Sequence, residues 1–267
     1  MSNLQGKKVL ITGGASGIGK IMGRLVLERG AQLIIWDINP AKMEETVSEL
    51  APLGKVKTYQ VDVSQPEQIK NTATAVKNDI GTIDVLINNA GIVVGRYFHE
   101  HTDKDINRTM SINAEAPMYI TLEFIKDMME QNSGHICNIA SLAGMISNPK
   151  MSVYTASKWA IIGWSDSLRL EMEKLGKNIH VTTVGPYYMS TGMFEGVRSK
   201  IPIIEPEKMS LKIIRAIEKN KIFISHPWGW RTVRFMQGLL GMRGFDRIVG
   251  KGMGIYSTMD DFTGRKA

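Results

Sequence analysis

Thr12-Gly13-Gly14-Ala15-Ser16-Gly17-Ile18-Gly19 joins a short apolar run, Lys8–Thr12, to a helical pattern through Ile21, Leu25 and Val26 that stops at Arg29-Gly30. Strand, glycine turn, helix is the local order that a dinucleotide site requires. Glycines let the backbone come close to a pyrophosphate, and the free N–H groups and positive dipole end of the following helix attract it. The spacing is Gly-x3-Gly-x-Gly, not the commoner Gly-x-Gly-x2-Gly. A purely structural turn is the alternative; the flanking strand and helix favour nucleotide binding. Gly13, Ser16, Gly17, Ile18 and Gly19 are the expected contacts.

Outward from this turn the same alternation repeats. Residues 33–36, 56–61, 83–87, 135–140, 179–184 and 221–224 read as further short buried strands. Helical patterns lie between them, over 40–50, from 65–66 onward, and over 103–129, 152–175 and 207–219. Such a chain predicts one doubly wound parallel sheet of about seven strands with helices on both faces. In an open parallel sheet ligands bind at the carboxyl ends of the strands, so the residues closing each strand are the candidates.

Asp37 closes the second strand. A carboxylate there accepts hydrogen bonds from adenosine ribose hydroxyls and repels a 2′-phosphate. Ser16, Ile38 and Asn39 supply no cation to offset that repulsion, which favours NAD over NADP; a helix cap before Pro40 is the plainer alternative. Asp62-Val63 closes the third strand, where Asp62 either bonds the adenine or caps the helix near Gln65-Pro66. Asn88-Asn89-Ala90-Gly91 is a polar, small-residue turn after the fourth. Asn113 lies inside a helical pattern, which asparagine disfavours, so a kink, a buried water or a surface position is expected. Ser141 ends the fifth strand, either to hold a substrate oxygen or as a turn residue.

Tyr154-Thr155-Ala156-Ser157-Lys158 places a phenol and an ammonium four apart, on one face of a helix. An adjacent cation lowers a phenol from its usual value of about 10, which suits an acid/base near neutral pH. After the sixth strand, Gly185 to Phe194 leaves the sheet as an apolar loop.

The totals agree with a globular chain. It has 267 residues, 43% hydrophobic and 22% charged, with a net charge of +7. Its single cysteine, Cys137, excludes an internal disulfide and fits a reducing compartment. Lys7-Lys8 is followed by too short an apolar run for a signal peptide, and no run approaches the roughly 18 residues of a spanning helix. A cytoplasmic location is expected. From His226 onward seven lysines and arginines face three aspartates.

The order and spacing of Thr12-Gly13-x3-Gly17-x-Gly19, Asp62, Asn88-Asn89-Ala90-Gly91, Asn113, Ser141, Tyr154-x3-Lys158 and Pro186 with Thr191 resemble the classical short-chain dehydrogenase/reductase family over residues 6–224. Many members have Pro-Gly where this chain has Pro186-Tyr187, a departure that bears on the lid. Trp36-Asp37-Ile38-Asn39, Pro186-Tyr187 and Thr191-Gly192-Met193-Phe194 look like the retinol and 17β-hydroxysteroid dehydrogenase branch, which handles bulky lipid alcohols. Its eukaryotic members usually carry an N-terminal membrane anchor, which this chain is expected to lack.

The resemblance implies a Rossmann-type domain over 1–225, with a substrate lid near 186–205, and an extension over 226–267. It implies that Tyr154 exchanges the proton and that Lys158 acidifies the phenol and bonds the nicotinamide ribose. Ser141 would hold the substrate oxygen and Asn113 a water of the proton relay. Asn89, Ala90, Gly91, Pro186, Met189 and Thr191 would line the nicotinamide half, with Met189 and Thr191 orienting the carboxamide. A homodimer or homotetramer is implied. The competing readings are an NADPH-preferring carbonyl reductase and an NAD(H)-sensing protein without turnover.

Leu142, Met145, Ile146, Val93, Val94, Tyr187, Tyr188, Met193, Phe194, Val197, Ile201, Ile203 and Ile204 form an apolar set around these positions. It suits a hydrophobic alcohol or ketone of steroid, retinoid or long-chain type; sealing the nicotinamide from water, or subunit packing, is the alternative. The tail interleaves Trp228, Trp230, Val233, Phe235, Met236, Leu239, Leu240, Met242, Phe245, Ile248 and Val249 with arginines. Gly238, Gly241 and Gly244 should weaken a continuous helix. The tail is expected to pack on the lid or a partner subunit, or to meet a membrane surface. His99-Glu100-His101 has no neighbouring ligand cluster, so no metal is expected. Nucleic-acid binding lacks a reader motif.

Overall fold

The computed structural model describes residues 3–227 and 230–264, without the side chains of Trp230 and Arg231. Trp228, Arg265 and Lys266 of the tail lie outside the described residues. Seven parallel strands form one sheet in the order β3-β2-β1-β4-β5-β6-β7. They are β1 (Lys8–Thr12), β2 (Gln32–Asp37), β3 (Val56–Gln60), β4 (Val85–Asn88), β5 (Gly134–Ile139), β6 (Ile179–Pro186) and β7 (Phe223–His226). The chain winds from β1 to β3 on one side and returns to β4 on the other. The strand order therefore reverses between β1 and β4, which opens a crevice there.

Side chains alternate across a strand, and the core divides accordingly. Val9, Ile11, Leu33, Ile35, Val85 and Ile87 pack with Met22, Leu25 and Val26 of α1 (Gly17–Leu27), Met43 and Leu50 of α2 (Pro40–Leu50), and Met209, Ile213 and Ile217 of α7 (Pro206–Glu218). Leu10, Ile34, Trp36, Leu86 and Ile136 face the other side. They meet Ile69, Ala73 and Val76 of α3 (Pro66–Ile80), Ile120, Phe124 and Met128 of α5 (Ala116–Glu130), and Leu168 and Met172 of α6 (Ser152–Lys174). Covered on both faces, the central strands are continuous apolar runs.

The helical pattern over 103–129 is three pieces: α4 (Asp103–Met110), a π-turn at Ser111–Glu115, and α5. Pro117 has no N–H, so it cannot donate to the carbonyl four residues back, that of Asn113. The expected kink is this bulge, and Asn113 sits inside it, 1% exposed.

The tail forms α8 (Trp230–Phe245), a π-turn (Asp246–Gly252) and a short 3-10 turn (Ile255–Ser257). Of the three glycines expected to interrupt it, only Gly241 does so, at φ 60° and ψ 174°. Val233, Met236 and Leu240 of α8 turn inward and pack with Phe245, Val249, Ile255, Ile146 and Ile201. Phe235, Leu239 and Met242 turn outward and are 67%, 69% and 84% exposed, beside exposed Arg234 and Arg243. Among the described residues no helix is long and apolar enough to cross a membrane.

Candidate active site

The turn after β1 is held from across the crevice. Asn89 donates its backbone N–H to Thr12 Oγ1 (3.0 Å) and its Nδ2 to the carbonyls of Thr12 (2.9 Å) and Gly13 (3.1 Å). Ala90 N–H also donates to Thr12 Oγ1, at 3.0 Å. Gly13 takes φ 62°, a left-handed conformation that favours glycine. A Cβ on Gly19 would lie 2.1 Å from the Gly13 carbonyl oxygen, so only glycine lets α1 begin this close to the turn.

The resulting crevice is a cavity of about 360 Å³. Of the predicted residues, Gly13, Ser16, Gly17, Ile18, Asp37, Asp62, Val63, Asn89, Ala90, Gly91, Ser141, Tyr154, Lys158, Pro186, Met189 and Thr191 line it. Two do not. Gly19 lies beneath the turn and serves packing. Asn113 lies behind the wall, where its Oδ1 accepts from Ile92 N–H (2.8 Å) and its Nδ2 donates to Ile92 O (2.9 Å) and Ser157 Oγ (3.2 Å).

Asp37 is not the cap of α2. That is Asn39, whose side chain accepts from Lys42 N–H. Asp37 instead accepts from Ala15 N–H (3.0 Å) and Asn39 N–H (3.1 Å), one on each oxygen. Each oxygen keeps a further lone pair, and the side chain borders the crevice. Asp62 Oδ1 accepts from Ser64 N–H and Oγ at 2.9 and 2.7 Å, shaping the turn before α3 rather than capping it.

Ser141 Oγ accepts from Ala143 N–H at 3.1 Å and donates to Pro186 O at 3.4 Å. Tyr154 and Lys158 are each 5% exposed. Lys158 Nζ donates to Ile139 O at 2.9 Å and stands 5.7 Å from the Tyr154 ring centroid. Spacing alone predicts an acidified phenol; in the folded chain burial acts in the opposite sense on both groups. Burial raises Tyr154 above the usual tyrosine value, and a hydrogen bond with Ser141 opposes the shift. Burial lowers Lys158 to about 8. The physical reason is desolvation, which penalises both charged forms.

Sequence reading missed Arg108, an exposed cation on α4 that lines the crevice with Ile112. The spacing of four residues between the two was its only signal.

A second cavity, of about 240 Å³, shares Ser141, Pro186, Tyr187 and Phe194 with the crevice. Leu142, Ala143, Ile146, Met151, Tyr188 and Ile201 form its floor and walls, and the tail supplies Val233, Met236, Val249, Met253 and Ile255. Of the other apolar residues expected near the substrate, Met193 lines the crevice, whereas Met145, Val197 and Ile204 are buried in the core. Ile203 is exposed, and Val93 packs against the cluster around Tyr154. His99 stacks on Tyr97, and the described residues contain no group of three potential metal ligands.

The sequence model for short chain dehydrogenases matches residues 7–202. Epidermal retinol dehydrogenase 2 of Mus musculus is 33% identical over 271 residues, which span 99% of this chain and 87% of that protein. Among solved structures, a short chain dehydrogenase/reductase from Burkholderia phymatum in complex with NAD is similar at a TM-score of 0.82 and 25% identity. The match covers 89% of this chain and 95% of that one. A metagenomic short-chain oxidoreductase in complex with NADP is similar at a TM-score of 0.72 and 28% identity, covering 84% and 96%. The chain belongs to the short-chain dehydrogenase/reductase family. It is an NAD(P)-dependent dehydrogenase acting on CH–OH groups.

The depressed Lys158 carries a pH signature. Its folded value of about 8 lies below the unfolded 10.5. Its contribution to stability is therefore full above 10.5 and is lost as pH falls through about 8. Thermal melts of the intact chain should rise in Tm from pH 7 to 9.5 relative to Lys158→Met, which removes the titration. Parallel pH profiles for the two proteins would contradict the assignment.

Proposed function

We propose that the chain transfers a hydride between NAD(H) and a hydrophobic secondary alcohol or its carbonyl, of steroid, retinoid or long-chain type. The observation that carries this reading is the apolar second cavity, which meets the crevice at Ser141 and Phe194. Its shape and lining suit a substrate whose polar end reaches Ser141 and whose body lies under the tail. The retinol dehydrogenase name of the mouse relative points the same way.

The residues present fit the dinucleotide. Gly13, Ser16, Gly17 and Ile18 of the glycine turn line the crevice, and Asp37 keeps lone pairs for ribose hydroxyls. Met189 and Thr191, which line the crevice, would orient the carboxamide. When bound, the nicotinamide supplies the hydride chemistry. Tyr154 takes the alcohol proton in oxidation or returns it in reduction. Ser141 Oγ holds the substrate oxygen and stabilises charge developing on it. Lys158 uses one of its three N–H donors on Ile139 O and offers the others to the ribose. The Asn113 carbonyl, without a donor from Pro117, holds a water that passes protons to Lys158.

The Asp37 carboxylate favours NAD. Arg108 on the crevice wall is the one observation that favours the NADPH-preferring alternative. The large exposed groups Leu122 of α5 and Trp159 and Leu170 of α6 suit a subunit contact. The outward stripe of α8 with its arginines suits an anionic membrane surface. Ultracentrifugation should give a dimer or tetramer, and sedimentation with anionic vesicles should be lost in Phe235→Asp/Leu239→Asp; a monomer, or vesicle binding unchanged by the substitutions, contradicts these assignments.

The decisive assay is Tyr154→Phe. Turnover of a hydrophobic secondary alcohol should fall by about 10²–10⁴-fold while NADH still binds, and NADH should bind more tightly than NADPH. Retained turnover sinks the role of Tyr154, and tighter NADPH binding sinks the cofactor preference.

A further inference from the structure

After its 3-10 turn the tail stays on the molecule. Residues 258–264 run back over the lid as a strap, and the two are joined backbone to backbone. Arg198 N–H donates to Thr258 O at 3.2 Å, and the N–H groups of Thr263 and Gly264 both donate to Glu195 O, at 3.0 and 3.2 Å. Arg198 also pairs with Asp261 at 3.0 Å, but both side chains are exposed, so the pair adds little. On the far side Lys150, two residues before α6, donates its Nζ to Asp260 O at 3.0 Å.

Two glycines make room for the strap. Gly196 of the lid has φ 85°, in the left-handed region, and a Cβ there would lie 2.1 Å from Asp261 O. A Cβ on Gly95 would lie 2.3 Å from Phe262 Cδ1. A side chain at either position would displace the strap. The two seats are on separate loops beside the site: one follows Ile92 of the crevice wall, the other Phe194. Phe262 and buried Met259 fill the same cluster as Tyr154, Tyr188 and Val197, against which Phe194 also packs. Phe194 stands edge-on to the Tyr154 ring, with 6.0 Å between centroids and 82° between planes. It lines both the crevice and the second cavity, so it stands where the two meet. A chain end tied down for stability alone could be pinned anywhere on the surface. This strap is pinned at Glu195, the residue after Phe194.

We propose that the strap is a positioning element of the proposed alcohol chemistry, on which this inference rests. Phe262 and the backbone clasp at Glu195 hold Phe194 against Tyr154. They thereby set the width of the passage by which a substrate in the second cavity reaches Ser141. Phe262 lines neither cavity, so it acts through the lid as a residue that determines specificity. Loosening it lets Phe194 move off the phenol, which widens the passage and admits branching next to the carbinol carbon.

The test uses the full chain with NAD, a linear secondary alcohol and an isomer branched beside the carbinol carbon. In Phe262→Ala the kcat/KM ratio of linear to branched alcohol should fall about tenfold. Gly196→Ala, which disturbs the clasp from the lid side, should give the same shift. Phe262→Met, which refills the seat beside Gly95, should keep the original ratio. A general loss of folded protein does not mimic a change of ratio. Amide hydrogen exchange on the chain without ligand needs no turnover: residues 194–198 should exchange at least about tenfold faster in Phe262→Ala, with the sheet unchanged. An alcohol ratio unmoved by Phe262→Ala overturns the proposal, and so does unmoved lid exchange. If the unaltered chain oxidises neither alcohol while lid exchange rises in the variant, the clasp stands and the proposed reaction falls.

Discussion

Asn89 ties the carboxyl ends of β1 and β4 together, and that tie braces the mouth of the crevice that the strand-order reversal opens. Two strands diverging at a reversal of sheet order leave unpaired backbone at their ends. Here the Asn89 amide takes up the Thr12 and Gly13 carbonyls, and Thr12 Oγ1 takes up two N–H groups of the facing turn. Each such bond contributes about 0.5–1.5 kcal/mol net, and more is lost when one partner is left buried alone. The same bonds set the path of the glycine turn, which in turn brings Ala15 N–H onto Asp37. One side chain thus fixes the positions of two predicted cofactor contacts on different strands.

The wall behind the crevice is built by a similar economy of polar groups. Asn113 closes both hydrogen bonds of Ile92 and reaches Ser157, which sits one residue before Lys158 on α6. The bulge that carries it is enforced by Pro117. Asn88 bonds Thr121 and Asn138, and Asn138 bonds Ser165, linking β4, β5, α5 and α6 through buried amides. Such a network specifies one arrangement of α6 against the sheet. Tyr154 and Lys158 are buried on that helix, and burial dominates their titration.

Most of the sheet was legible because its signals are local. Buried β-branched runs, proline or polar residues at helix starts, and the glycine turn each lie within a few residues, and the observed strands fall within two or three residues of the readings. Asn113 announced its kink through its poor helix propensity, though the part played by Pro117 needed the bulge itself. Spacing shows that Lys158 is near Tyr154, but not that both groups are buried or that the ammonium stands over the ring. Arg108 was missed for another reason: its significance lies in the crevice it borders, whose other walls are far away in sequence. The tail lacked a strict period because its helical run breaks at Gly241 and gives way to a π-turn over Asp246–Gly252.

In the proposed reaction the nicotinamide lies with its reacting end at Tyr154, and the adenosine half of the cofactor lies beside Asp37 and Asp62. A crystal structure of the chain with NADH tests this most directly. We expect the Tyr154 hydroxyl and Ser141 Oγ to flank the site next to the nicotinamide ring, with room between them for a substrate oxygen within about 3–3.5 Å of the reacting atoms, and the ribose on Asp37. A cofactor bound in reverse, or a Tyr154 hydroxyl turned away from the ring into the protein, would contradict it.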